Sequence, residues 1–153
     1  MDAPDLRSKP PRRWTESNGG IRWLPRLTDK TRAALAGTLG GYLYGQSPVD
    51  RDLLRHLGIR YREFTELVRN APDDAAVFAA IESRSPDGVA RAREWSERLP
   101  YERRYFLWVI DVDDGYNPKL RWMRSLINLG SNVFTAIVKY IWPSRATERI
   151  PQE

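Results

Sequence analysis

The spacing of prolines restricts what this chain can build more than any other feature of it. Pro25, Pro48, Pro72, Pro86, Pro100, Pro118 and Pro143 fall between 14 and 25 residues apart. A proline removes a backbone donor from a helix interior or a central strand, yet it fits the first turn of a helix, where the N–H would be unpaired anyway. The chain is therefore cut in advance into segments of helical length. Several of these prolines also carry start signals, as in Ser47-Pro48-Val49-Asp50, Pro72-Asp73-Asp74, Pro86-Asp87 and Asn117-Pro118. Polar caps and first-turn acids satisfy and complement the free N–H groups there.

Between these marks the apolar residues recur at helical spacing. Leu27, Ala34 and Leu35 follow Pro25 up to Gly37, and the Ser47-Pro48 helix is expected to reach Leu57 and stop at Gly58. Tyr61, Phe64, Leu67 and Val68 mark a further helix, Pro72 opens one through Ile81, and Pro86 opens one through Leu99. Pro100 is expected to restart the chain. Tyr101, Tyr105, Phe106, Trp108, Val109 and Val112 then form an apolar element closed by Asp113-Asp114-Gly115. It reads as a buried helix, although so many aromatic and β-branched residues would also suit a strand. Gly37-Thr38-Leu39-Gly40-Gly41 is too rich in glycine for a helix and leads into Tyr42-Leu43-Tyr44, an extended or irregular connector. The expected fold is all-α: a compact bundle of about six helices with a long C-terminal helix and a flexible Pro/Arg-rich N-terminal tail. The expected divisions are a tail over 1–20, a helical domain over 21–115, a long helix over 116–143 and a polar tail over 144–153.

A chain of 153 residues, 41% of them hydrophobic and with six Trp and seven Tyr, can bury one sizeable core. Trp14 and Trp23 are the groups near the N-terminus expected to need a partner surface. Cysteine is absent, so disulfides, thiolate nucleophiles and cysteine-ligated metals are excluded. No apolar run follows the basic residues of the N-terminus, so no secretory leader is expected. The body is expected in the cytoplasm, peripheral at or anchored to the inner membrane.

Catalytic constellations are scarce. His56 is the only histidine, so a Ser-His-Asp triad or a histidine metal site would have to be built around it alone; on a short charged helix between Arg55 and Leu57 it reads as a surface histidine. Asp111-Val112-Asp113-Asp114-Gly115 opens like a calcium loop, but Tyr116 stands where such a loop needs glycine and Trp122 where it needs its closing glutamate. No catalytic residue, metal or cofactor is expected. One cluster could take a small anion: Arg26, Asp29, Lys30 and Arg32 lie within two helical turns, with Tyr42 nearby. It supports the second functional reading, a soluble enzyme or small-anion-binding protein.

The net charge of +5 is unevenly spread. Residues 50–115 hold eleven Arg against fourteen acids, whereas residues 116–145 hold five cations and no acid. An acidic middle argues against nucleic-acid binding, which needs a compact basic face. In the C-terminal helix, Arg121, Arg124, Ser125, Asn128, Ser131, Asn132, Thr135 and Lys139 form one narrow polar stripe, and the rest of the circumference is apolar or small. Trp122 and Trp142 lie twenty positions apart, about 30 Å on a helix. This is a poor autonomous membrane span, because polar side chains at bilayer depth need protein partners. It suits a helix lying at a membrane surface or against a membrane-embedded assembly. Trp122, Phe134, Tyr140 and Trp142 are the expected anchors, and Arg121, Arg124, Lys139 and Arg145 the expected contacts to lipid phosphates or acidic subunits. The leading expectation is a non-enzymatic accessory subunit that docks through this helix on a membrane protein complex or membrane surface.

The stretch Leu24-Pro25-Arg26, Asp29-Lys30-Thr31-Arg32, Leu35-Ala36-Gly37-Thr38-Leu39-Gly40-Gly41-Tyr42 resembles the opening signature of a bacterial family of small domains of unknown function. Asp50, Leu57-Gly58-Ile59, Phe64 and Asp111-Val112-Asp113-Asp114-Gly115 are similar to its later landmarks. The resemblance spans about residues 22–115. It implies a small helical cytoplasmic domain and brings no activity, cofactor or catalytic residue. The long helix after Gly115 departs from the pattern.

Overall fold

The computed structural model of the protein describes residues 3–117 and 120–148, apart from the side chain of Arg121. It is an all-α fold with one very small hairpin, β1 (Ser17–Asn18) and β2 (Ile21–Arg22), ahead of the helices. The helices are α1 (Leu24–Leu35), α2 (Pro48–Leu57), α3 (Tyr61–Asn70), α4 (Asp74–Arg84), α5 (Pro86–Glu102), α6 (Arg104–Asp113) and α7 (Arg121–Ile141). Pro25, Pro48 and Pro86 sit in first turns, as their fixed φ favours. Asp73 caps α4 by accepting the Ala76 N–H at 2.8 Å.

The central helix is α1, not the longest one. Every residue from Leu24 to Ala33 is buried. Leu24 and Leu27 join Leu53 and Leu57 of α2, Phe64 of α3, Ile81 of α4 and Leu99 of α5 in one core. Trp23 is buried there too, donating its indole N–H to Asp50 at 2.8 Å. Its expected partner surface is thus the inside of its own domain. The element from Arg104 to Asp113 is helical, which resolves the helix-or-strand alternative. It is not the buried helix expected: only Leu107, Asp111 and Val112 are buried, while Tyr105 and Phe106 are exposed, as is Tyr101, which belongs to α5.

Several boundaries shift by a few residues, as where α4 runs from Asp74 to Arg84 and not from Pro72 to Ile81, and two differences matter more. Pro100 does not restart the chain: α5 runs through it to Glu102, and the break comes at Arg103. A proline near a helix end forfeits one hydrogen bond but has a helical φ, so the last turn can still close, with the Arg103 N–H reaching Leu99 O at 3.0 Å. The second difference is larger. Residues expected to form a free tail are laid against the body. Leu6 is buried and its N–H reaches Thr38 O at 3.0 Å, while the Thr38 hydroxyl donates to Pro4 O at 2.9 Å. Gly19 and Gly20 both have positive φ and form the two-residue turn of the β1–β2 hairpin, where Asn18 pairs with Ile21.

α7 packs against α6 and over the connector that follows α1, and none of its described side chains is fully buried. Beyond it, Ala146 returns to the core, where its carbonyl accepts from Thr65 at 2.7 Å.

Candidate functional site

A buried helix carrying four charged residues must neutralise them locally, because each uncompensated charge in a dry interior costs several kcal/mol, of order. α1 does so one by one. Arg26 pairs with Asp114 at 2.7 Å, Lys30 with Asp50, and Arg32 with Asp74 at 2.6 Å. Asp29 is held from the N-terminal segment by Arg12, whose guanidinium reaches it at 2.8 Å and also pairs with Asp74. The neighbouring Arg13 clasps Asp111 through Nε at 3.0 Å and Nη2 at 2.6 Å. The expected anion cluster therefore comes together only in part. Arg26 and Tyr42 do meet, and Tyr42 donates to the same Asp114 carboxylate at 2.8 Å. The cations, however, already face carboxylates of their own chain.

The electrostatics follow this arrangement. Burial pulls the Lys30 ammonium below its usual range, against the opposing pull of Asp50. Burial and the Asp114 charge hold the Tyr42 phenol well above its usual range. Burial alone would raise the Asp74 carboxyl, but hydrogen bonds from Arg12 and Arg32 outweigh it and leave that group below the ordinary carboxylate range. Chemically, this network is suited to fixing α1, the N-terminal segment and the end of α6 together. An open cleft of about 720 Å³ borders it, with Arg12, Asp29, Arg32 and Tyr116 in its wall.

The acidic Asp111–Asp114 turn has a related use. Asp111 takes Arg13, Asp114 takes Arg26 and Tyr42, and Asp113 lies against α7, its carboxyl raised first by burial. No group of histidine or carboxylate side chains among the described residues could hold a metal. His56 is accounted for by a contact of its Nδ1 with Asp52 O at 2.7 Å and by stacking on Trp95.

The polar stripe of α7 turns inward. Lys139 donates to Gly40 O at 2.9 Å, Arg124 Nε to Asp113 O at 3.2 Å, and Asn132 lies against Gly41. Asn128, Ser131 and Thr135 are half-buried on the same side. The outward face is apolar: Trp122 is 71% exposed, Leu126 70%, Phe134 59%, Tyr140 90% and Trp142 68%. Of the expected docking cations, Arg145 stands in solvent near Glu148, Arg124 is exposed, and Lys139 is folded back, its ammonium lowered by burial. The side chain of Arg121 lies outside the described residues. No described helix is long and apolar enough to cross a membrane.

Arg12 and Arg13 were missed by the sequence reading, which assigned them to a free tail. The usable signal was charge balance: a basic Pro-Pro-Arg-Arg-Trp stretch precedes a body with more acids than arginines over residues 50–115. Together these features define a small helical domain whose central helix is clamped by ion pairs and whose last helix stands apolar side outward.

A domain of unknown function (DUF5069) matches residues 8–105, and the chain belongs to that family. Comparison with curated proteins gives no match. The matched region starts earlier than the resemblance suggested, taking in Arg12, Arg13 and the hairpin, and it ends before Asp111 and before α7.

Proposed function

We propose that this protein is a non-enzymatic accessory protein that attaches itself to an anionic membrane surface through the outward face of α7. The observation carrying this reading is the inversion of that helix. A surface helix normally buries its apolar stripe and shows its polar one, whereas α7 hydrogen-bonds its polar stripe to the body and leaves Trp122, Leu126, Leu129, Val133 and Tyr140 in solvent. An uncovered row of this kind marks a binding surface.

Charge favours lipid as the occupant. Residues 116–145 contain no acid to repel anionic headgroups, and Arg145, just beyond α7, is exposed. Anionic headgroups attract such a cation by about 1 kcal/mol, and tryptophan and tyrosine suit the interfacial zone. At about 1.5 Å per residue the 21-residue helix offers roughly 31 Å of contact lying flat.

The test is co-sedimentation of the full chain with vesicles of phosphatidylcholine, with and without phosphatidylglycerol, beside the Leu126→Ser/Leu129→Ser/Val133→Ser variant. The expected result is sedimentation only with the anionic vesicles, reduced about tenfold or more in the variant. Wild-type protein left in the supernatant would overturn the reading. So would a wild-type dimer dissociated by the same substitutions, because the face would then belong to a second copy.

A further inference from the structure

A second surface feature stands apart from α7 and does not depend on its reading. At the junction of α2, the start of α3 and the end of α5, an open cleft of about 550 Å³ is lined by four arginines, Arg51, Arg55, Arg60 and Arg103, with Asp52 as the acid among them. Both oxygens of Asp52 are occupied. Oδ1 accepts from Arg55, and Oδ2 accepts from Arg103 at 2.9 Å. No carboxylate among the described residues is paired with Arg51 or Arg60. Four guanidiniums around one carboxylate leave the cleft with an excess of three positive charges.

Like charges gathered this closely repel one another unless an anion joins them. Several arginines elsewhere are matched by acids: Arg13, Arg26, Arg69 and Arg84 each pair with one carboxylate, and Arg12 and Arg32 are met by Asp29 and Asp74 between them. The cleft is also the place where α3 begins. Arg60 is its N-cap residue and makes no side-chain capping bond, so the positive end of that helix opens beside the arginines. The planar guanidinium fork matches the oxygens of a phosphate two at a time, which an ammonium cannot do.

We infer that the cleft formed by Arg51, Arg55, Arg60 and Arg103 binds a phosphate group carrying two or more negative charges. Arg51 and Arg60 supply the new contacts, while Asp52 holds Arg55 and Arg103 in place. The volume leaves room beyond a phosphate for the group that bears it. Two sources share this chemistry, a soluble phosphorylated compound and a lipid headgroup. The second is relevant because Tyr61 lines both this cleft and the adjoining one that contains Trp142 and Arg145 at the end of α7.

Pyrophosphate is the soluble probe. Calorimetric titration of the full chain is expected to show saturable binding at one site, weakened by at least about tenfold in Arg51→Gln/Arg60→Gln. Removing the same amount of charge elsewhere, in Arg7→Gln/Arg98→Gln, is expected to leave the affinity within about twofold. All four positions are exposed, and melting curves followed by circular dichroism confirm that each variant is folded. Absence of saturable binding would overturn the inference, as would equal weakening in both double variants. Vesicles of phosphatidylcholine and phosphatidic acid, whose headgroup is a phosphomonoester able to carry the second charge, then separate the sources. If the ligand is a headgroup, Arg51→Gln/Arg60→Gln lowers vesicle binding and pyrophosphate competes with it. If the ligand is soluble, vesicle binding is unchanged while pyrophosphate binding is lost. Failure of α7 docking leaves the pyrophosphate result standing, so the two readings fail separately.

Discussion

Lys30 of α1 and Asp50 of α2 face each other in the centre of the molecule, their side chains only 4% and 0% exposed. Asp50 also accepts the indole N–H of Trp23, and Lys30 reaches Leu43 O at 3.3 Å. The pair thereby joins the start of α1, the connector after it and α2.

Breaking a buried pair leaves the partner's charge stranded, which costs about 3–5 kcal/mol. Lys30→Met and Asp50→Asn are each expected to lower stability by that amount, measured by urea unfolding near neutral pH. The double variant is expected to recover much of the loss, because neither charge is then left alone. Single variants that lose less than about 1 kcal/mol would show that water reaches the pair.

Alkaline pH should weaken the fold through Tyr44. Burial pushes its phenol up to about 12 from an ordinary value of 10.0. The folded state therefore keeps this proton over a range where the unfolded state has released it. Stability from this group is fully present below about pH 10 and falls as the pH rises toward about 12, by a total of order 3 kcal/mol. Tyr44→Phe cannot ionise and should show a shallower alkaline decline. Identical declines in urea unfolding for wild type and variant would rule out the assignment.

Two glycines give opposite expectations. A Cβ on Gly88 would lie 2.2 Å from Leu57 O, where α5 crosses the end of α2. Gly88→Ala is expected to cost about 1–3 kcal/mol, since backbone cannot move aside as a side chain can. Gly130, inside α7, has nothing within 4 Å of the same position. Gly130→Ala is expected to stabilise by up to about 1 kcal/mol, through the better helix propensity of alanine. Urea midpoints for the two variants check both signs.

Local chemistry carried most of the helices. Pro48 and Pro86 start helices by their fixed φ and Asp73 starts one by capping, whereas Ser47 makes no side-chain capping bond; such signals act within a few residues of chain. The Asn-Gly-Gly turn at 18–20 was legible too, but the Pro-rich stretch around it drew the whole segment into the reading of a tail. The candidate site was half legible. Arg26 and Tyr42 could be picked out as neighbours, whereas their shared partner Asp114 lies 88 residues from Arg26 in the chain.

The sequence by itself determined that α7 has a polar stripe and a wide apolar circumference, since both follow from the helical period. Only the tertiary structure decided which side faces the protein, because that depends on what the connector after α1 and the turn at Asp113 offer it. Their free carbonyls, Gly40 O and Asp113 O, accept hydrogen bonds from Lys139 and Arg124. Turning that polar side toward backbone acceptors leaves the apolar side in solvent, and no periodicity along the chain encodes the choice.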